Sequence, residues 1–185
     1  MKKIVLLTAS PRTKGNSSAM AAAFAEEIGQ NGAELVRFDT AFSGVKGCIA
    51  CDRCFENGRA CCFDDGFNDI MDAILSADAI AFASPVYWYT FPAGFKAVMD
   101  KFYSLCRAGK DLAGKKCVLM SCCEDDDMKA FEGVLFSYKE SMGLLRCEDV
   151  GQVLVKDVHR PGAVLETDAP QRCRQLAREL LAAIE

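Results

Sequence analysis

The feature that most constrains the fold is an alternation of short β-rich apolar runs with longer stretches of helical periodicity. Ile4 to Leu7 is a continuous apolar run, as required of a strand buried on both faces of a parallel sheet. Met20, Phe24 and Ile28 recur at i, i+4 and i+8, which predicts a helix over 16–30 stopped at Gly32. Further strands are expected at 35–38, 79–83, 116–121 and 150–155. Helices are expected at 67–77, 93–106, 128–142 and 169–184. Pro170 sits in the first turn of the last helix, where a missing N–H costs little. Five strands separated by helices predict an α/β, doubly wound, five-stranded parallel sheet with helices on both faces. Residues 1–185 read as one domain, with a Cys-rich insertion loop at about 44–65.

Charge and hydropathy narrow the partners. The net charge is −4 and no basic stripe is present, so nucleic acid is not an expected partner. The apolar run near the start covers only Ile4 to Leu7, shorter than the roughly 7–15 residues of a secretory h-region. No run approaches the ~20 apolar residues that span a bilayer, so no membrane association is expected. The chain has eleven cysteines, clustered rather than spread as a disulfide frame. Reduced thiols in a cytoplasmic protein are the expected state.

Two loops carry ligand chemistry. Ser10-Pro11-Arg12-Thr13-Lys14-Gly15-Asn16-Ser17-Ser18 joins the first strand to the first helix. Ligands of parallel α/β sheets bind beyond the carboxyl ends of the strands. There the helix N-terminus, the hydroxyls of Ser10, Ser17 and Ser18, and Arg12 all favour a phosphate. A simply capped helix, with Asn16 or Ser17 as N-cap, is the bland alternative. Neither G-x-x-x-x-G-K-[ST] nor G-x-G-x-x-G occurs here, so a P-loop nucleotidase and a dinucleotide fold are disfavoured. A monophosphate such as that of flavin mononucleotide (FMN) remains. The second loop, Ser84 to Pro92, follows the third strand and holds Tyr87, Trp88, Tyr89 and Phe91. In the 2-1-3-4-5 strand order, strands one and three are neighbours at the switch point, which brings the two loops together. The aromatics offer flat faces for a ring system and the backbone N–H groups a polar edge; an aromatic plug on the sheet end is the alternative.

The pairing of Ser10-Pro11-Arg12…Gly15-Asn16-Ser17 with Ser84-Pro85-Val86-Tyr87-Trp88 resembles the NADPH-dependent FMN reductase family. Lys96-Ala97-Val98-Met99-Asp100-Lys101 is similar to that family's K-x-x-x-D-[RK] helix. The resemblance implies a flavodoxin-like fold and assembly as a dimer or tetramer. It also implies FMN held by Ser10, Arg12, Asn16, Ser17 and Ser18, with Pro85, Val86, Tyr87 and Trp88 along the isoalloxazine. Lys96 and Asp100, at i, i+4, are expected to pair on a helix face.

Cys48, Cys51, Cys54 and Cys61 form C-x2-C-x2-C-x6-C, with Cys62 beside the last. Closely spaced thiolates let one loop wrap a metal core, and four suit a [4Fe–4S] cluster. Four thiolates also suit zinc, and free or disulfide-forming thiols are a third possibility. The run resembles the cysteine motif of iron–sulfur flavoproteins. Cys122-Cys123-Glu124 after the fourth strand and the lone His159 are discounted, the cysteines as buried and the histidine as a loop residue. A single histidine also disfavours a Ser-His-Asp hydrolase.

The expected function is an NAD(P)H-dependent flavin oxidoreductase, passing hydride to FMN and electrons onward to a small-molecule or protein acceptor. FMN does that chemistry, so no catalytic side chain is named. The alternatives are an FMN electron carrier between redox proteins, with or without a cluster, and a zinc-stabilised module without flavin.

Overall fold

The computed structural model describes residues 1–184; Glu185, the last residue of the expected domain, lies outside the described residues. Strands β1 (Lys3–Thr8), β2 (Glu34–Asp39), β3 (Ala79–Pro85), β4 (Lys116–Cys122) and β5 (Glu148–Val155) form one sheet, ordered β2-β1-β3-β4-β5. Every pairing is parallel. The connections carry helices α1 (Asn16–Gln30), α2 (Phe67–Ser76), α3 (Ala93–Lys101), α4 (Tyr103–Arg107) and α5 (Glu132–Leu144), and α6 (Ala169–Ala183) closes the chain. This is the flavodoxin-like architecture, with its switch point between β1 and β3.

Side-chain alternation along the strands builds a core on each face. Ile4 and Leu6 pack with Ala81, Met120 and Val153 beneath α1 and α6. Val5 and Leu7 pack with Ile80, Phe82 and Leu119 beneath α2, α3 and α5. Phe82 meets Phe95 and Tyr138 edge-on, at ring-centroid distances of 5.8 and 5.5 Å. Removing an aromatic from such a centre costs about 3–5 kcal/mol, so this cluster fixes α3 and α5 on the sheet.

Three elements differ from the sequence expectation. The helix expected over 93–106 breaks at Phe102, where i→i+3 bonds replace the α pattern on both sides: Phe102 N–H to Met99 O at 3.0 Å and Leu105 N–H to Phe102 O at 2.9 Å. The break lets side chains of α3 and α4 grip the cysteine loop, as described below. The helix expected over 128–142 opens with a 3-10 turn, Met128–Phe131, capped by Asp127 accepting the Lys129 N–H. Strand β5 starts at Glu148, earlier than expected, and its register on β4 shifts between Cys117 and Val118. Gly151 follows that shift, and a Cβ there would lie 3.0 Å from Leu176 Cδ1 on α6. The expected Lys96–Asp100 pair is present along α3.

Candidate functional site

The carboxyl ends of β1, β3, β4 and β5 converge on a cleft of about 150 Å³. Its wall includes Ser10, Arg12, Asn16, Ser17, Pro85, Val86 and Tyr87. Ala9 N–H donates to Ala83 O at 2.9 Å, which locks the start of the first loop to the end of β3. The loop then turns on itself: Arg12 N–H reaches Ser10 Oγ at 3.0 Å, Gly15 N–H reaches Arg12 O at 2.9 Å, and Ser18 Oγ donates to Arg12 O at 2.9 Å. A Cβ on Gly15 would lie 3.0 Å from Arg12 O, so glycine permits this tight turn.

The result is an anion cradle. Gly15 is the N-cap of α1 and no side chain caps the helix; the Ser17 N–H is directed at the Cys122 sulfur, and the remaining first-turn N–H groups are left to an external acceptor. Ser17, 2% exposed, lines the cleft at the foot of α1. The Arg12 guanidinium has no carboxylate partner among the described residues, and it lies at the cleft. A helix N-terminus, hydroxyls and a free cation facing one volume suit a phosphate monoester.

Not every sequence candidate faces the cleft in this way. Ser18 lies off the wall, supporting the turn at Arg12. Asn16 lies on the wall, but its amide is already engaged. Nδ2 donates to Val158 O and Arg160 O at 3.0 and 3.1 Å, and Oδ1 accepts from Val164 N–H at 3.2 Å. It fastens the 157–164 loop over α1. Trp88 stands 93% exposed and does not line the cleft. The reason is local. Tyr87 and Thr90 close an antiparallel bridge in which Trp88 and Tyr89 both have positive φ, 46° and 63°. Two central residues with positive φ define the primed hairpin turn usually built from Asn-Gly. Its own bonds consume the Tyr87 N–H, and the Val86 N–H goes to Cys122 O, so these two donors expected at a ligand edge are committed.

Residues that the sequence reading discounted complete the wall: Cys122, Cys123 and Glu124 after β4, and Val158, His159 and Pro161 after β5. Burial pushes the Cys122 thiol up to about 12. Burial also raises Cys123, whose Sγ donates to Asp125 O at 3.3 Å. Both are neutral thiols at pH 7. His159 Nε2 lies 2.9 Å from Asp157 Oδ1. The signal that could find these residues is their place at strand ends, where a β4 loop belongs to the ligand face of such a sheet.

The insertion between Ser43 and Gly66 forms a separate cavity, with Cys48, Cys51, Cys54, Cys61 and Cys62 in its wall. Every cysteine is free. Ala50, Asp52 and Phe55 have positive φ of 51°, 58° and 59°, a strained run of non-glycine residues of the kind that persists at functional sites. This backbone aims N–H groups at sulfur. Ala50 N–H approaches Cys48 Sγ at 3.5 Å. The Arg53 N–H draws Cys51 below the usual thiol range, with help from the Cys62 thiol and the Arg53 guanidinium. Burial raises Cys54, and so do the neighbouring thiols Cys48, Cys51 and Cys61. Cys51 Sγ and Cys62 Sγ are 3.7 Å apart. Among the described residues no three such ligands close on a single ion. A cluster interposes iron and sulfide between its thiolates, so it requires thiols around a cavity rather than around a point. The cavity is small, about 20 Å³, and the loop has to widen to hold a cluster.

The base of this loop is tied firmly. The Asp65 carboxylate accepts from Lys101 Nζ at 2.5 Å and from the N–H groups of Lys46 and Phe67, each at 3.1 Å. Burial pushes Asp65 up, but Lys101 and these N–H groups outweigh it and hold the carboxyl below its usual range. Asn68, 1% exposed, accepts from Cys61 N–H and donates to Phe63 O, both at 2.9 Å.

Comparisons with known proteins give the family and the shared fold. The family model described as NADPH-dependent FMN reductase matches residues 2–132. An iron-sulfur flavoprotein of Methanocaldococcus jannaschii is 31% identical over 113 residues, 61% of this chain and 58% of that protein. An iron-sulfur flavoprotein of Methanosarcina thermophila is 33% identical over 116 residues, 61% of this chain and 59% of that protein. The matched chain thus spans less than two thirds of these curated relatives. Among solved structures, the NAD(P)H:quinone oxidoreductase from Methanothermobacter marburgensis superposes with a TM-score of 0.75 at 17% identity, covering 97% of both chains. An FMN-dependent NADH-azoreductase from Bacillus anthracis, in complex with FMN, gives 0.75 at 18% identity, covering 97% of this chain and 99% of that one. At such identities the superpositions show the shared fold. No helix among the described residues is long and apolar enough to cross a membrane.

Proposed function

The chain belongs to the NADPH-dependent FMN reductase family, and from that premise we propose that it is an NAD(P)H-dependent flavin oxidoreductase. It carries FMN in the cleft and a [4Fe–4S] cluster on the cysteine loop. The observation that carries the reading is the cradle at the β1–β3 switch point, where an uncapped helix N-terminus, the Ser17 side chain and an unpaired Arg12 face one volume. Bound FMN supplies hydride acceptance and the onward release of electrons.

The residues of this chain bind and orient. Arg12, Ser10 and the first-turn N–H groups of α1 hold the phosphate, with Ser17 beside them. Ser18 and Asn16 keep that cradle in shape. Pro85, Val86 and Tyr87 give the ring system an apolar wall, and the neutral thiols of Cys122 and Cys123 close the far side. Cys48, Cys51, Cys54 and Cys61 hold the iron, supported by the N–H groups already directed at Cys48 and Cys51. The names of the archaeal relatives support the same assignment. The acceptor is a small molecule or a redox protein. The protein works in a reducing cytoplasm and assembles as a homo-oligomer, a reading supported by the exposed Trp88, Tyr89 and Phe136.

The test uses anaerobically purified protein with flavin, iron and sulfide quantified. FMN is expected to bind more tightly than riboflavin, and NADH or NADPH to bleach the flavin absorbance rapidly. Bleaching only by a reduced protein donor favours the electron-carrier reading, which the cysteine loop supports. A colourless preparation that takes up neither flavin nor iron refutes both.

A further inference from the structure

Ser104 carries a hydroxyl that the fold leaves orphaned. It lies on α4, 3% exposed, and its Oγ has no hydrogen-bond partner among the described residues. Buried hydroxyls are nearly always paired, so an unpaired one needs an explanation. Its surroundings supply one, because Ser104 lines the thiol cavity together with Cys48, Cys51, Cys54 and Cys61.

The segment 101–107 that presents Ser104, the end of α3 and all of α4, is clamped to the cysteine loop on either side of it. Lys101 Nζ holds Asp65 at 2.5 Å, before Ser104 in the chain. Tyr103 OH donates to Asp52 Oδ1 at 2.8 Å, and Arg107 Nε lies 3.4 Å from the same oxygen. Lys101 and Tyr103 also line the cavity; Tyr103 gives its one hydroxyl proton to Asp52, and the Lys101 ammonium is directed at Asp65. Ser104 is the buried hydroxyl of the wall whose oxygen has no partner among the described residues.

We propose that the Ser104 hydroxyl donates a hydrogen bond to a sulfur of the iron–sulfur group held by the cysteine loop and so sets its reduction potential. This rests on the reading that the loop holds a [4Fe–4S] cluster. A proton shared with thiolate or sulfide stabilises the more negative, reduced state and raises the potential. Ser104 acts through the thiol-held group, as a positioning residue.

The experiment compares the wild type, Ser104→Ala and Ser104→Thr after anaerobic reconstitution with iron and sulfide. Iron and sulfide are counted, the midpoint potential is read by EPR-monitored titration, and the metal-free proteins are melted. The Ala variant is expected to take up as much iron as the wild type but to show a lower midpoint potential. Its metal-free form should melt no lower than the wild type, because the hydroxyl it loses has no partner there. Thr should restore the potential. Equal potentials in the wild type and the Ala variant, at equal iron content, overturn the proposal while the cluster reading stands. No uptake of iron and sulfide by the wild type overturns both, and the metal analysis alone tells the two failures apart.

Discussion

Arg12 shows how much one side chain decides at the cleft. It is exposed, belongs to no ion pair among the described residues, and lines the cleft at the foot of α1. A charge-assisted hydrogen bond contributes roughly 1.5–3 kcal/mol. Arg12→Ala should therefore weaken FMN about 10- to 100-fold in a fluorescence titration and leave riboflavin nearly unaffected, since riboflavin brings no phosphate. Equal losses for both ligands would place Arg12 at the ring instead. Residue types and loop position made Ser10, Arg12 and Ser17 legible in the sequence. The engagement of Asn16 was not legible, because its partners Val158, Arg160 and Val164 are more than 140 positions away. Nor was the outward turn of Trp88, which depends on a left-handed backbone that no residue type at 88 or 89 announces.

At the level of elements, the 87–90 hairpin depends on a helix distant from it in sequence. Gly133, in the first turn of α5, faces the Tyr89 carbonyl so closely that a Cβ would lie 2.2 Å from its oxygen. Gly133→Ala must move either α5 or the hairpin, a clash that typically costs about 1–3 kcal/mol. The expected outcome is a lower urea midpoint together with weaker FMN binding, because Tyr87 moves with the hairpin. Lower stability with unchanged affinity would separate the hairpin from the site. The sheet was legible in the sequence because buried parallel strands are continuous apolar runs and the helices between them have period 3.6. The break at Phe102 was not, since Phe95, Val98, Met99 and Phe102 continue the helical spacing while the bend arises from i→i+3 bonding and from charges that grip a distant loop.

For the molecule as a whole, stability is divided unequally between the sheet and the cysteine loop. The sheet holds most of both apolar cores; the loop adds Ala60, with Val45, Phe55 and Cys61 partly packed against one of them, and its base is tied by the Asp65–Lys101 pair at 9% and 3% side-chain exposure. The Asp65 carboxyl is held below its ordinary value in the fold. The stability it contributes is thus complete above the unfolded carboxyl value of about 3.9 and is lost as pH falls through the lower folded value. Hydrogen-exchange protection over 44–65 should accordingly begin to fall below about pH 4 and decline further as pH drops, while β1 and β3 remain protected. Simultaneous loss across the whole chain would show that loop and sheet unfold together. Asp65→Asn, which leaves Lys101 buried without a counter-ion, should cost on the order of 3–5 kcal/mol at neutral pH. The two ends of the loop meet at a narrow neck, where a Cβ on Gly66 would lie 2.3 Å from Ser43 O. In evolutionary terms that neck makes the segment an exchangeable cassette. A loop whose ends already touch can lengthen or shorten at little entropic cost and can gain or lose cysteines without moving a strand. Descendants of one sheet can therefore change the thiols of this loop while inheriting the same cleft.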